Sequence, residues 1–263
     1  MKLFIKDDAV SESLGFILLA FILTMAISIV LMIGYPIYQN TITQAHMQNM
    51  EEGFLLLSAN ANKVALYDSP IQSSELKLYG GSLWLRNDGY FNITYTTETG
   101  LRDNYNYTIQ VIEYALNDKS IAYIMGATCE KTGSTSIMMS EPAMYKNDTT
   151  GSNYTMVIPI INYQNDMGAL AGTGLARLTI SSPYYAKMVG TLSYPPATHV
   201  EHVKEIYITM KSSYSDCFCR YFQDRFGFTI VSSTGGELTM MNTYEDPGIT
   251  LYIIPCQLSV EVN

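Results

Sequence analysis

Three patterns of apolar positions follow one another along the chain. From Leu14 to Tyr35 no charged residue occurs, and the only polar interruptions are Thr24, Ser28 and Tyr35. At about 1.5 Å of rise per residue, such a run is long enough for the ~30 Å hydrocarbon core of a bilayer. It predicts a membrane-length helix, with Leu14, Gly15, Phe16, Ile17, Leu18, Phe21, Ile22, Ile29 and Leu31 among its positions. Pro36 follows and predicts a kink or a reset, because it lacks a donor and crowds the preceding turn. Beyond it, Met47, Met50, Phe54, Leu57, Ala61 and Val64 recur at alternating steps of three and four. That seam predicts an amphipathic helix over 39–66 whose stripe must be buried, either on the protein's own head or against the same helix of neighbouring subunits.

From about Ser69 the period changes to two. Glu75–Tyr79 and Ser82–Arg86 flank Gly80-Gly81 and predict a two-residue hairpin, and Asn87-Asp88-Gly89 predicts the next turn. Further strands are expected at 105–115, 120–127, 135–139, 155–163, 174–181, 205–211, 227–232, 236–241 and 249–262. One stretch breaks the alternation: Phe218/Phe222 and Cys217/Tyr221 at helical spacing predict a short helix within 212–226. The expected fold class is α+β. A long N-terminal hydrophobic α-helix precedes a globular, β-rich, β-sandwich-like head of nearly 200 residues, large enough to bury its own core.

The start of the chain admits three readings. A secretory signal peptide has an apolar core of roughly 7–15 residues and then a small-x-small site; this run is longer and continues into Gly34-Tyr35-Pro36-Ile37-Tyr38 without one. A signal anchor fits the length. The third reading places processing before the apolar run, so that the helix stays on the mature protein.

The residues from Asp8 to Leu19 carry a resemblance. Asp8-Ala9-Val10-Ser11, followed by Glu12-Ser13-Leu14-Gly15-Phe16-Ile17-Leu18-Leu19, is similar to the class III leader junction and helix start of archaeal type IV pilins and archaellins. The resemblance implies a leader over 1–9, cut by a prepilin peptidase between Ala9 and Val10. It also implies an N-terminal helix over 10–67, with a membrane and filament-core segment at 14–35 that includes Tyr35 and abuts Pro36, and an extracellular head over 68–263. The partners it implies are identical subunits joined through these helices, the peptidase, the pilus assembly machinery, and the membrane before assembly. Glu12 becomes the third mature residue. Read from the residues alone, it is a first-turn carboxylate favoured by the positive end of the helix dipole. A further, broader similarity to pilin-like archaeal surface proteins covers Leu56–Arg86 and the aromatic-rich segment at 212–226.

Charge orients the chain. Lys2 and Lys6 precede the apolar run, and no Lys or Arg occurs again until Lys63. The positive-inside bias therefore places the amino terminus in the cytoplasm and the remaining ~200 residues outside, on the cell surface. Four Asn-x-Ser/Thr sequons, at Asn92, Asn106, Asn147 and Asn153, fit a glycosylated exterior. Four cysteines, Cys129, Cys217, Cys219 and Cys256, fit two disulfides of open connectivity or free thiols. On a helix, Cys217 and Cys219 point about 200° apart, so each is expected to pair with Cys129 or Cys256 rather than with the other.

Candidate chemistry is sparse. His199-Val200-Glu201-His202 is expected in a solvated loop rather than a metal site, and no Gly-x-Ser-x-Gly, phosphate-cradling loop or spaced calcium loop occurs. No catalytic residue, cofactor or metal is expected. A net charge of −9 argues against nucleic acid as a partner. The expectation is a non-enzymatic subunit of an archaeal pilus-like filament serving adhesion or surface attachment. The alternative is a non-polymerising single-pass surface protein, an adhesin or envelope binding module, for which Gly15, Ala20, Ala26 and Gly34 offer ordinary helix-contact surfaces.

Overall fold

Sixty residues, Asp7–Leu66, form one helix, α1. The structure, a computed structural model, describes residues 7–67, 69–147, 154–163, 168–182 and 197–262. The helix runs through Pro36 instead of resetting there. The chain divides into two compact units, Met1–Met47 and Gln48–Asn263, the second containing the head.

The head is β-rich, as the alternation predicts. Its strands are β1 (Ile71–Lys77), β2 (Ser82–Thr97), β3 (Arg102–Leu116), β4 (Lys119–Ile124), β5 (Ala127–Thr132), β6 (Thr135–Ser140) and β7 (Tyr145–Asn147). There follow β8 (Tyr154–Tyr163), β9 (Leu170–Ala171), β10 (Leu175–Ser181), β11 (Thr198–Lys211), β12 (Thr229–Thr234), β13 (Glu237–Thr243) and β14 (Ile249–Val262). A single short helix, α2 (Ser215–Phe226), separates β11 from β12. One hydrogen-bonded sheet runs β1-β10-β14-β11-β2-β3-β4-β5-β6, with β8 added beside β14 and β13 beside β11. The β8–β14 pairing is parallel.

The expected Gly80-Gly81 hairpin does not form. A tight turn is present, with the Gly81 N–H on the Leu78 carbonyl at 2.8 Å, but β1 pairs with β10 from Ile71↔Ser181 to Lys77↔Leu175. The reason lies at Tyr114. Its hydroxyl donates to the Leu78 carbonyl at 2.5 Å, and its ring occupies the space where a Gly81 Cβ would stand. The N–H groups of Leu78 and Gly80 go instead to the carbonyls of Gly174 and Gly172. Strands β5, β7 and β9 and the first half of β11 also lie outside the sequence expectation; β7 and β9 are only three and two residues long.

A bulge in β2 decides which face each apolar residue joins. Leu83, Leu85, Phe91, Ile93 and Tyr95 share one parity in sequence, yet the register shifts between Asn87 and Gly89. Leu83 and Leu85 therefore pair with Tyr114 and Ile112, whereas Phe91 and Ile93 pair with Tyr107 and Tyr105 on the opposite face. Gly89 makes this possible: its φ is +132°, and a Cβ there would collide with the Lys211 carbonyl. The face carrying Phe91, Ile93, Val111 and Cys129 forms the main core with α2, whose Phe218, Tyr221, Phe222 and Phe226 are buried in it. Phe222 is the hub, with Phe91, Phe218, Tyr221, Phe226 and Phe228 rings within 6.3 Å of its centroid. Gly227, left-handed at φ 71°, ends α2.

Candidate functional site

No described residues assemble a metal-binding group of three or more His, Cys, Asp or Glu side chains. The feature that stands out is α1 itself, and its two halves differ.

In the first half, every large apolar side chain from Leu14 to Tyr38 is between 50% and 80% exposed. An 18-residue window reaches a mean hydropathy of 3.0 with none of it buried. Apolar residues occupy all sides, so the segment is a belt rather than a stripe. The few hydroxyls satisfy themselves on the helix backbone: Thr24 Oγ1 donates to the Phe21 carbonyl at 2.9 Å and Ser28 Oγ to the Thr24 carbonyl at 2.7 Å. That is the arrangement a medium without water requires. Gln39 Nε2 reaches back across Pro36 to the Tyr35 hydroxyl at 3.0 Å. This helix is long and apolar enough to cross a membrane and is consistent with membrane anchoring. The Ala9–Val10 bond lies within the helical span; residues 1–6 of the expected leader lie outside the described residues.

In the second half, the seam is covered by the protein's own head. Met50, Phe54, Leu57, Ala61 and Val64 are at most 4% exposed. Gly53 lets Leu76 approach, since a Cβ there would be 2.7 Å from Leu76 Cδ2. Polar contacts fix the docking: Ser58 Oγ and Asn62 Nδ2 donate to the Gly126 carbonyl at 3.3 and 3.1 Å, and the Tyr123 hydroxyl donates to Asn62 Oδ1 at 3.0 Å. Asn60 Nδ2 donates to Ser74 Oγ at 3.0 Å. Of the two burials left open by the seam, the head supplies this one. Burial pushes the Tyr123 phenol pKa well up.

The sequons fall in different settings. Asn106 is exposed on β3. Asn92 stands directly opposite it on β2 and is half-buried, its Oδ1 accepting from the hydroxyl of its own sequon Thr94 at 3.2 Å. Asn147 is half-buried on β7, and Asn153 lies outside the described residues.

The histidines are not in a loop. His199 and His202 both belong to β11; His199 pairs with Tyr252, and His202 lies within the register shift between Val200 and Val203. His199 stacks on Tyr252 with centroids 4.7 Å apart. His202, at φ +56°, shares a 3.0 Å hydrogen bond between Nδ1 and the Pro247 carbonyl oxygen. The two rings have separate partners.

All four cysteines are free thiols, and the sheet admits only part of the expected pairing. On β4 and β5, Ala122 pairs with Cys129 and Tyr123 with Thr128, so Cys129 and Tyr123 occupy opposite faces of the sheet. Cys256 lies beside Tyr123, on the α1 face, and reaches neither Cys217 nor Cys219 on α2. Burial raises the Cys256 thiol to about 11. Cys129 and Cys217, one of the expected pairs, lie in one buried cluster on the α2 face of the sheet.

A buried polar network escaped the sequence reading. Glu113 accepts from Trp84 Nε1 at 2.9 Å, Arg86 Nε at 2.8 Å and the Tyr214 hydroxyl at 2.7 Å. Asp88, brought inward by the β2 bulge, accepts from Ser212 Oγ at 2.6 Å, Ser213 N–H at 2.9 Å and Ser213 Oγ at 2.7 Å, and pairs with Arg86. Together they hold the approach to α2. The only sequence signal was Asn87-Asp88-Gly89, which reads equally as a surface turn.

Comparison with known proteins gives a family and one relative of note. The model of a family described as "Family of unknown function (DUF7289)" matches residues 9–261. An uncharacterized protein of Archaeoglobus fulgidus is 25% identical over 185 residues, which cover 63% of this chain and 68% of that protein. No solved structure matches the chain.

Proposed function

The chain belongs to the DUF7289 family of unknown function, and we propose that it is a structural subunit of an archaeal type IV pilus-like surface filament, serving adhesion or surface attachment. The observation that carries the reading is the division of α1: an apolar belt bare on all sides from Leu14 to Tyr38, followed by a seam its own head already covers. A helix of this kind serves first as an anchor and then as a core element of a polymer. The precursor rests in the membrane with its amino terminus in the cytoplasm. A prepilin peptidase removes residues 1–9 after Ala9, and the assembly machinery draws the belt out of lipid into contact with identical belts. Lipid tails and leucine side chains are equally apolar, so this transfer gains little hydrophobic energy. Packing complementarity and the machinery must drive it. The head stays outside, with Asn106 the sequon best placed for glycan. The role is assembly rather than catalysis.

Amino-terminal sequencing of the protein from its native membrane or filament fraction tests the reading. Val10 as first residue, together with filaments in sheared surface preparations, supports it; an intact Met1 or a cut after Tyr35 overturns it. A second reading, a single-pass surface protein that does not polymerise, draws on the same burial pattern. With the Met50–Val64 seam covered by the head, the belt is the continuous apolar surface α1 leaves open among the described residues, and lipid alone satisfies that. Processing at Val10 without filaments favours this reading.

A further inference from the structure

We propose that Cys129 and Cys217 form a covalent cross-link site, the one intramolecular disulfide of the described head, which pins α2 to the sheet. Three observations place the two side chains together. Cys129 on β5 pairs with Met138 on β6, so the two side chains share a face of the sheet, and Ser136, two residues before Met138, points the same way. Ser136, Met138 and Cys217 line one pocket of about 470 Å³ between α2 and β6, which brings Cys217 over that face. Cys129 and Cys217 belong to the same buried cluster, at 0% and 2% exposure.

The other two cysteines are excluded by position. Cys219 is on the outer side of α2, its thiol directed to Gln223 Oε1 at 3.6 Å. Cys256 is on the α1 face of the sheet, its thiol on the Ile254 carbonyl at 3.6 Å. The sheet itself separates Cys256 from α2.

The pair is also chemically asymmetric. The Cys217 thiol is lowered from its ordinary value, first by its contact with Cys129 and further by Ser136 and Arg220. Burial pushes Cys129 well up. Ser136 Oγ is buried beside Cys217 without a conventional partner. Cys217 is therefore the first nucleophile and Cys129 the resolving thiol.

The oxidant is a small-molecule disulfide, RS–SR, entering by the α2–β6 pocket. The Cys217 thiolate attacks one sulfur, the S–S bond of the oxidant breaks, and the first RS⁻ leaves. Cys129, giving up its proton, then attacks Cys217 Sγ of the mixed disulfide and expels the second RS⁻. The two protons from the protein thiols end on two RSH molecules. Two protein thiols are oxidised, and one external disulfide is reduced. None of this depends on polymerisation or on leader processing, so the inference stands or falls apart from the proposed function.

The test uses the full chain in detergent micelles, reduced, desalted and exposed to oxidised glutathione, then unfolded, alkylated and peptide-mapped. The expected product is a chain about 2 Da lighter at the linked peptides, with Cys129 and Cys217 joined and both protected from alkylation. Cys129→Ser should trap a glutathione adduct on Cys217, whereas Cys217→Ser should leave Cys129 unmodified. Cys129 and Cys217 both alkylated after oxidation of the native wild-type chain, or Cys217 joined to Cys219 or Cys256, would overturn the proposal. The wild-type map decides the matter even where a serine variant fails to fold.

Discussion

At Glu113 a single carboxylate holds three donors from β2 and the approach to α2: Trp84, Arg86 and Tyr214. Removing it leaves the indole N–H without its acceptor, the Tyr214 hydroxyl with Ser120 Oγ at 3.0 Å, and Arg86 with Asp88 and Ser213 Oγ. Glu113→Ala should therefore destabilise the head by about 2–4 kcal/mol, discounted for the partial exposure of Arg86. Urea denaturation followed through the single tryptophan, Trp84, measures this directly, because the probe is one of the lost donors. Two other phenols give a pH signature. Burial raises Tyr95 and Tyr114 to about 12, against about 10 in an unfolded chain. The neutral form is the folded form, so their contribution is complete below about pH 10 and is lost as pH rises from there through about 12. Each contributes up to ~2 kcal/mol in that window. Circular dichroism at fixed urea should show the midpoint falling above about pH 10 and flat just below it; a flat profile to about pH 12 would contradict the burial of these phenols.

Among elements, α1 has the clearest division of labour. Phe54, fully buried at the centre of its seam, should cost about 3–5 kcal/mol when truncated to alanine, whereas Ile22→Ala on the bare belt should leave the unfolding of the head unchanged. Chemical denaturation of both variants in the same detergent makes the comparison. This element was legible in the sequence because its apolar positions are dense and its period is long. Strands β8, β10 and β14 were legible too, since uninterrupted alternation suffices to find a strand. Partner choice was not. The pairing of β1 with β10 and of β14 with β8 depends on contacts a hundred residues apart, which no local pattern encodes. The β2 bulge was hidden for a related reason: Asp88 and Gly89 carry turn chemistry, and only the Lys211 backbone opposite reveals that the strand continues through them. Likewise, four cysteines in a row of text cannot say which face of a sheet each occupies. Register assigns Cys129 to one face, and the contact with Tyr123 assigns Cys256 to the other.

The whole molecule combines a segment that needs lipid or protein around it with a head that covers its own core. A chain beginning at Gln48 keeps the seam and the sheet together as one compact unit. It should remain monomeric and soluble without detergent, while the full chain should require detergent or lipid to avoid association through the belt. Sedimentation of both forms with and without detergent gives the result, and aggregation of the shorter form would show that the head has an apolar surface of its own. The sheet order has a consequence for how such a protein is made. The fourteenth strand is not at an edge: β14 lies between β10 and β11 and also carries β8. Until Ile249–Val262 arrives, β10 and β11 lack the strand that lies between them, and the two-residue β9 is what ties the β10 side to β2. During synthesis the head therefore cannot close fully strand by strand. The nascent chain must stay open, and guarded from aggregation, until β14 has been delivered.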